Sequence, residues 1–215
     1  MACGQCQGIE QFFDDRTAAR ELRRLRRRGP SASTRILLDA LRNEGAEGAT
    51  FLDVGGGVGA IQHDLMAAGA AGGHHVDASP AYLRAAREEA ERRGNADRIR
   101  YHYGDAIELM DRVPEVDFVT LDRVLCCYHD MPALVDATAP KARRLYGIVF
   151  PREGILMRAG TGAINFFQRL RRHPFNVFLH GTRRIMERVT GHGMEVALYR
   201  NTLLWQVAVF RRRSD

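Results

Sequence analysis

The stretch Phe51-Leu52-Asp53-Val54-Gly55-Gly56-Gly57-Val58-Gly59 constrains this chain more than any other. Four glycines in five positions cost conformational entropy that a plain connecting turn would not require. An apolar run, Thr50 to Val54, precedes them, and an apolar segment of helical period, Ile61 to Ala68, follows. Strand, glycine turn and helix in that order is the context of a nucleotide-binding loop, in which backbone N–H groups come close to a ligand. No Gly-Lys-Ser/Thr ending follows, so the phosphate loop of the nucleoside triphosphatases is excluded. A dinucleotide loop stays open. Gly55, Gly57 and Ala60 match G-x-G-x-x-G/A, and Asp77 lies 22 residues past Gly55.

Beyond the loop, strand and helix signals alternate, as expected of a parallel sheet with crossover helices. Gly73 to Val76 reads as a second strand ending at Asp77, and Ser79 caps a helix with Pro80 in its first turn that runs to about Arg93. Ile99 to Tyr103, Val116 to Leu121 and Leu145 to Phe150 read as further strands, with a crossover helix from Pro132 to Thr138. Gly181 to Thr190 reads as a helix with Thr182 as its cap. Met194 to Tyr199 and Leu203 to Arg211 read as a hairpin turning at Arg200-Asn201-Thr202. Ahead of the loop, apolar spacing predicts one helix from Ile9 to Arg28, stopped by Gly29-Pro30, and a second from Ser33 to Asn43. The expected organisation is a helical cap over 1–44 and one α/β domain over 45–215, with a substrate-covering insertion at 152–180.

The chain is long enough for one such domain and too short for two full cores. Its apolar runs fall short of a membrane span, and no basic start followed by an apolar stretch marks a secretory leader, so a cytoplasmic protein is expected. Charge is uneven. Residues 45–140 carry net −8 and residues 141–215 net +11, so the last third could steer an anion towards the site or be a solvated face. Cys3-x-x-Cys6 has no second pair to complete a zinc site, and no metal is expected. The adjacent Cys126 and Cys127 read as small apolar groups rather than ligands or nucleophiles.

Asp53-x-Gly55-x-Gly57-x-Gly59 resembles motif I of the class I S-adenosylmethionine-dependent methyltransferases. Three further motifs stand in the family's order: Asp77 with Ala78 after the second strand, Gly104-Asp105 with Ala106 after the third, and Asp122 ending the fourth. The resemblance implies a Rossmann-like, seven-stranded, mostly parallel sheet with helices on both faces and a C-terminal antiparallel hairpin. It implies S-adenosylmethionine as cofactor, with Asp53 orienting the methionine ammonium, Gly55, Gly57 and Gly59 passing close to the ligand and Asp77 taking the ribose hydroxyls. Asp105 and Ala106 would lie at the adenine, and Asp122 would lead into the loop under the methionine. Physical chemistry agrees: a ligand bearing an ammonium and a sulfonium favours acidic surroundings, and a carboxylate can accept from two neighbouring hydroxyls.

Methyl transfer from a sulfonium needs no metal, only an acceptor held in line. A hydroxyl acceptor must also lose a proton, whereas a carboxylate need not. His129 is the candidate base, with Asp130 to orient it and Tyr128 as donor or pocket wall; His173 and His180 are weaker candidates. The helices before motif I and the aromatic, arginine-bearing segment 152–180 resemble, loosely, the magnesium-protoporphyrin O-methyltransferase branch. That likeness favours a small, anionic, partly apolar acceptor methylated on a carboxylate or hydroxyl oxygen. Two alternatives remain: an RNA methyltransferase using the basic last third, though no Asn/Asp-Pro-Pro-aromatic motif follows the fourth strand, and an NAD-dependent oxidoreductase.

Overall fold

The computed structural model describes residues 4–213. Cys3 lies outside them, and so does the side chain of Cys6. Before the first strand come α1 (Gly4–Phe12), α2 (Asp15–Arg28) and α3 (Ala32–Asn43). The single helix expected over Ile9–Arg28 is therefore two. Asp14 breaks it by accepting from the Thr17 N–H at 2.9 Å, an N-cap that starts α2 afresh.

The sheet contains β1 (Thr50–Val54), β2 (Gly72–Asp77), β3 (Ile99–Tyr103), β4 (Val116–Asp122), β5 (Ala142–Pro151), β6 (Met194–Asn201) and β7 (Trp205–Arg212). Their order is β3-β2-β1-β4-β5-β7-β6. β1 to β5 pair in parallel, while β7 inserts antiparallel between β5 and β6. The seven-stranded sheet and closing hairpin are as expected. The hairpin turns later than its sequence suggested, at 202–204, because the Thr202 N–H and hydroxyl both bond the Trp205 carbonyl.

Alternation along each strand divides the core into two layers. Leu52, Val54, Val119, Leu121, Ile148 and Phe210 face α6 (Ala106–Leu109), α7 (Met131–Thr138) and α9 (Thr182–Thr190). Phe51, Phe118, Leu145, Val149, Val207 and Val209 face α3 and α4 (Ala60–Ala67). α5 (Pro80–Arg92) follows β2 and packs against β3 and α2. The leucines Leu37, Leu38 and Leu41 of α3 are fully buried in the second layer, so α3 belongs to the sheet's packing while α1 and α2 lie further out. Thr182 does not cap α9. Gly181 precedes the helix without a side-chain bond, and the Thr182 hydroxyl accepts from Gln206 Nε2 at 2.8 Å. The segment after β5 forms α8 (Ile155–Leu170), a helix its sequence had not signalled.

Strand order reverses between β1 and β4, and loops leaving two such strands diverge and open a crevice at their carboxyl ends. That crevice is the site.

Candidate active site

The crevice holds a cavity of about 520 Å³. Its floor is built where three adjacent strands end. Asp53 of β1, Asp77 of β2 and Asp122 of β4 all line it, together with Gly55, Gly56, Gly57 and Ala78. Gly55, Gly57 and Gly59 have φ of 61°, 57° and 83°, a region that L side chains rarely adopt. Gly59 does not line the cavity; it starts α4 in the left-handed conformation.

Asp77 is the most completely held of the three. Its Oδ2 accepts from the Gly57 N–H at 2.9 Å and its Oδ1 from the Ser79 N–H at 2.8 Å, tying the glycine loop to the start of α5. Burial pushes its carboxyl up to about 6 against the pull of those bonds. Asp53 is buried still more unfavourably. Thr120 donates to its Oδ1 at 2.8 Å, but Oδ2 is buried without a hydrogen-bond partner. Burial, reinforced by the charges of Asp122 and Asp77, pushes it up to about 8. Asp122 Oδ2 accepts from the Thr34 hydroxyl at 2.6 Å; its Oδ1 lacks a hydrogen bond, although Arg123 Nε stands 3.5 Å away. Unpaired buried carboxylate oxygens cost stability unless a ligand supplies donors, so this floor suits a cation.

Arg123 follows β4 with φ of 64°, a left-handed conformation rare for a branched-β-free but bulky residue. Its guanidinium reaches the hydroxyls of Ser31, Ser33 and Thr34 at the start of α3 and lies 5.0 Å over the Trp205 ring. These contacts hold a cationic group at the cavity wall beyond the end of β4. Arg24 of α2 also lines the cavity. The cavity arginines thus come from α2 and the end of β4. From the arginine- and phenylalanine-rich segment 152–180, only Phe175 of the phenylalanines faces inward with Met157, Thr161, Ile164 and Val177. Phe166 and Phe167 point to solvent.

The roof is aromatic. Phe12 of α1 stacks on Phe175 at 4.5 Å, and Phe13 packs against Phe175 and Tyr82. A Cβ at Gly8 would lie 2.6 Å from the Phe175 backbone nitrogen, so α1 touches that segment directly. The Phe13 carbonyl accepts from Ser79 Oγ at 2.7 Å, fixing the α1–α2 junction beside the Asp77 loop.

Residues 51–145, from β1 into β5, match the family model of a methyltransferase domain. The antiparallel β7 between β5 and β6 departs from the all-parallel sheet of dinucleotide-binding domains. The fold is that of the class I S-adenosylmethionine-dependent methyltransferases. Among solved structures, the chain is similar to magnesium protoporphyrin IX methyltransferase from Synechocystis PCC 6803 with bound SAH. That likeness has a TM-score of 0.74 at 17% identity and covers 97% of this chain and 100% of that one. The same enzyme with bound SAM gives 0.71 at 16% identity, over 97% of each chain. An O-methyltransferase family protein from Burkholderia thailandensis gives 0.69 at 17% identity, over 94% of this chain and 61% of that one. At these identities the likeness is one of fold. No sequence among the curated proteins matches this chain.

Within this fold, the remaining expected site residues take different places. Ala106 lines the cavity, while Asp105 turns away to accept from the Ile107 N–H at 2.8 Å and cap α6. Tyr128 lines the cavity too, and its hydroxyl donates to Asp105 Oδ1 at 2.7 Å and accepts from the Ala106 N–H at 3.1 Å. That hydroxyl braces the Gly104–Ala106 turn. His129 is not among the cavity-lining residues; its ring faces Phe178 at 6.4 Å, and Asp130 caps α7 by accepting from the Ala133 N–H. His180 Nε2 meets the Tyr128 carbonyl at 2.7 Å. Cys126 and Cys127 stand on the wall, both thiols donating to the Arg123 carbonyl.

Removing the Tyr128 hydroxyl leaves the Ala106 N–H and Asp105 each short of a bond. Tyr128→Phe is expected to cost about 1–2 kcal/mol, lowering Tm by roughly 2–6 °C, which a thermal unfolding scan would read. An unchanged Tm would remove the bracing role.

Glu21, Arg24, Ser31, Thr34, Tyr82 and Trp205 also line the cavity. None belongs to a motif. Each arrives through the docking of α2, α3 or the β6–β7 hairpin, which no local pattern announces.

Proposed function

We propose that this domain transfers the methyl group of S-adenosylmethionine to an oxygen of a small, anionic, partly apolar acceptor, with a carboxylate favoured over a hydroxyl. The observation that carries the reading is the row of aspartates on adjacent strand ends, with buried oxygens on Asp53 and Asp122 that lack hydrogen-bond donors. When bound, the cofactor supplies an electrophilic methyl on a sulfonium. The chain's own residues hold and screen it. Asp77 is preset by two backbone N–H groups to accept from vicinal hydroxyls with its remaining lone pairs. Asp53 and Asp122 compensate positive charge on the ligand, and Ala106 with the braced turn at Gly104 offers a flat contact for a heterocycle.

The acceptor half is supported by the rest of the lining. Met157, Ile164, Phe175 and Trp205 offer apolar surface, and Arg123 and Arg24 offer cationic donors that suit a carboxylate. No histidine lines the cavity among the described residues. A carboxylate, already ionised at neutral pH, needs no base. The α1–α2 pair and 152–180 act in this reading as the cover that excludes water.

Isothermal calorimetry with S-adenosylhomocysteine on Asp77→Ala tests the cofactor half. Two carboxylate–hydroxyl bonds, each worth about 1.5–3 kcal/mol, predict an affinity loss of at least 100-fold. Parental affinity in a variant with a parental unfolding profile would refute it. The acceptor half is tested by methyl transfer to a panel of aromatic and aliphatic carboxylic acids, with structured RNA as the contrasting substrate.

A further inference from the structure

α8 is built inside out. At about 3.6 residues per turn, Ile155, Leu156, Ala159, Phe166, Phe167 and Leu170 fall on one side of it, over an arc of roughly 120°. That side faces solvent: Ile155 is 89% exposed, Leu156 73%, Leu170 71%, Phe166 64% and Phe167 57%. The polar residues take the protein side. Thr161 and Gln168 are buried, and Asn165 clamps the returning chain through both its amide groups to the Val177 backbone at 2.8 Å. A helix of a water-exposed domain normally has the opposite arrangement. An apolar patch of this extent marks a surface that something else covers.

The patch continues past the helix. The Arg152 N–H donates to the Leu204 carbonyl at 3.0 Å, bringing the hairpin tip with Leu203, 84% exposed, next to the start of α8. Charge frames it. Arg158 and Arg169 flank one edge of the apolar arc and Arg171 the other, all exposed, with Arg152 and Arg172 at the two ends of the helix. Residues 152–172 contain five arginines and a single acidic residue, Glu153. An apolar strip with aromatic rings, edged by arginines, is the pattern that seats a helix in the interface of an anionic bilayer. No helix among the described residues is long and apolar enough to cross a membrane, so the contact is peripheral.

We propose that α8 and the β6–β7 tip dock this domain onto an anionic lipid surface. The other side of the same helix carries Met157, Thr161 and Ile164 into the cavity. A single helix thereby separates the bilayer from the acceptor wall, and an amphiphilic acceptor dissolved in the membrane would have a short route inward.

Sedimentation of the full chain with vesicles of phosphatidylcholine, with and without phosphatidylglycerol, tests the docking separately from methyl transfer. The chain should partition onto the anionic vesicles, and rising salt should release it. Phe166→Ser/Phe167→Ser should lower the partition coefficient at least tenfold, with an unchanged unfolding profile because neither ring packs in the core. Arg158→Gln/Arg169→Gln should weaken binding to the anionic vesicles and make it less sensitive to salt. Three results would overturn the proposal: no partition onto either vesicle, equal partition onto both, or a dimer in light scattering that Phe166→Ser/Phe167→Ser dissociates, which would make the patch an interface between copies of the chain.

Discussion

Asp53→Asn is expected to make the cofactor-free protein more stable above neutral pH while removing most of its affinity for S-adenosylhomocysteine. Burial holds the Asp53 carboxyl at about 8 in the folded chain, against about 3.9 in an unfolded one. A group whose pKa rises on folding binds its proton more tightly when folded, so it costs stability as pH climbs from the unfolded value to the folded one. Below about pH 4 both states are protonated and nothing is lost. Above about pH 8 both are ionised and the penalty is complete, on the order of 5 kcal/mol. Asparagine keeps the shape and the Thr120 contact but has no proton to lose. The stability gap between variant and parent should therefore widen by roughly 1.4 kcal/mol per pH unit between about 5 and 8, then level off. Chemical denaturation at a series of pH values reads this directly, and a pH-independent gap would show that Asp53 is not the strained group.

Ligand affinity should move the opposite way. Losing a charged acceptor for a cationic group costs about 1.5–3 kcal/mol, a 10- to 150-fold weaker Kd. In the parent, binding near neutral pH should release a proton from Asp53. The ligand's own amino group also titrates in this range, so the comparison with Asp53→Asn isolates the aspartate's share. Calorimetry in buffers of different ionisation enthalpy would reveal it.

Gly56→Ala carries the second large effect. Gly56 has an ordinary φ, unlike Gly55, Gly57 and Gly59, so the objection to a side chain there is purely one of space. An added Cβ would lie 2.5 Å from His75 Cε1 and 2.6 Å from Asp53 Oδ2. Neither neighbour can yield easily. His75 is fully buried, its Nδ1 bonded to Gln62 Oε1 at 2.8 Å, and burial pushes its ring down to about 3, so it stays neutral. It also sits directly across the ladder from Asp53. Overpacking of this kind costs about 1–3 kcal/mol, lowering Tm by roughly 3–10 °C, and displacing Asp53 should weaken S-adenosylhomocysteine binding at least tenfold. A variant with parental Tm and parental affinity would mean that the loop shifts without disturbing the floor.

Much of this floor was legible in the sequence because its parts are local. A glycine turn after an apolar strand, and an aspartate where each of three strands stops, are short-range patterns set by backbone sterics and strand period. They led to Asp53, Gly55, Gly57, Asp77, Ala78, Ala106 and Asp122, all of which line one cavity. The same local reasoning located the strands and the closing hairpin. It failed where a single side chain outweighed periodicity, as when Asp14 capped α2 and cut the expected helix in two.

The tertiary structure alone decided how those parts are used. His129 stood next to Tyr128 in the chain, yet their side chains part, one towards Phe178 and the other into the wall. Asp105 belonged to a ligand motif, yet it caps α6 and grips the Tyr128 hydroxyl. The phenylalanines and arginines of 152–180 suggested a pocket lining, yet α8 turns Phe166 and Phe167 outward, and the arginines that line the cavity are Arg24 and Arg123. The physical reason is the same in each case. Strand ends and glycine turns follow from the backbone of a few consecutive residues. Which face of a helix meets the protein, and which distant side chain fills a wall, depends on packing between elements far apart in sequence. The glycine loop and its aspartates were determined by the chain itself; the rest of the cavity lining, and the apolar face that α8 presents outward, came only from the assembled fold.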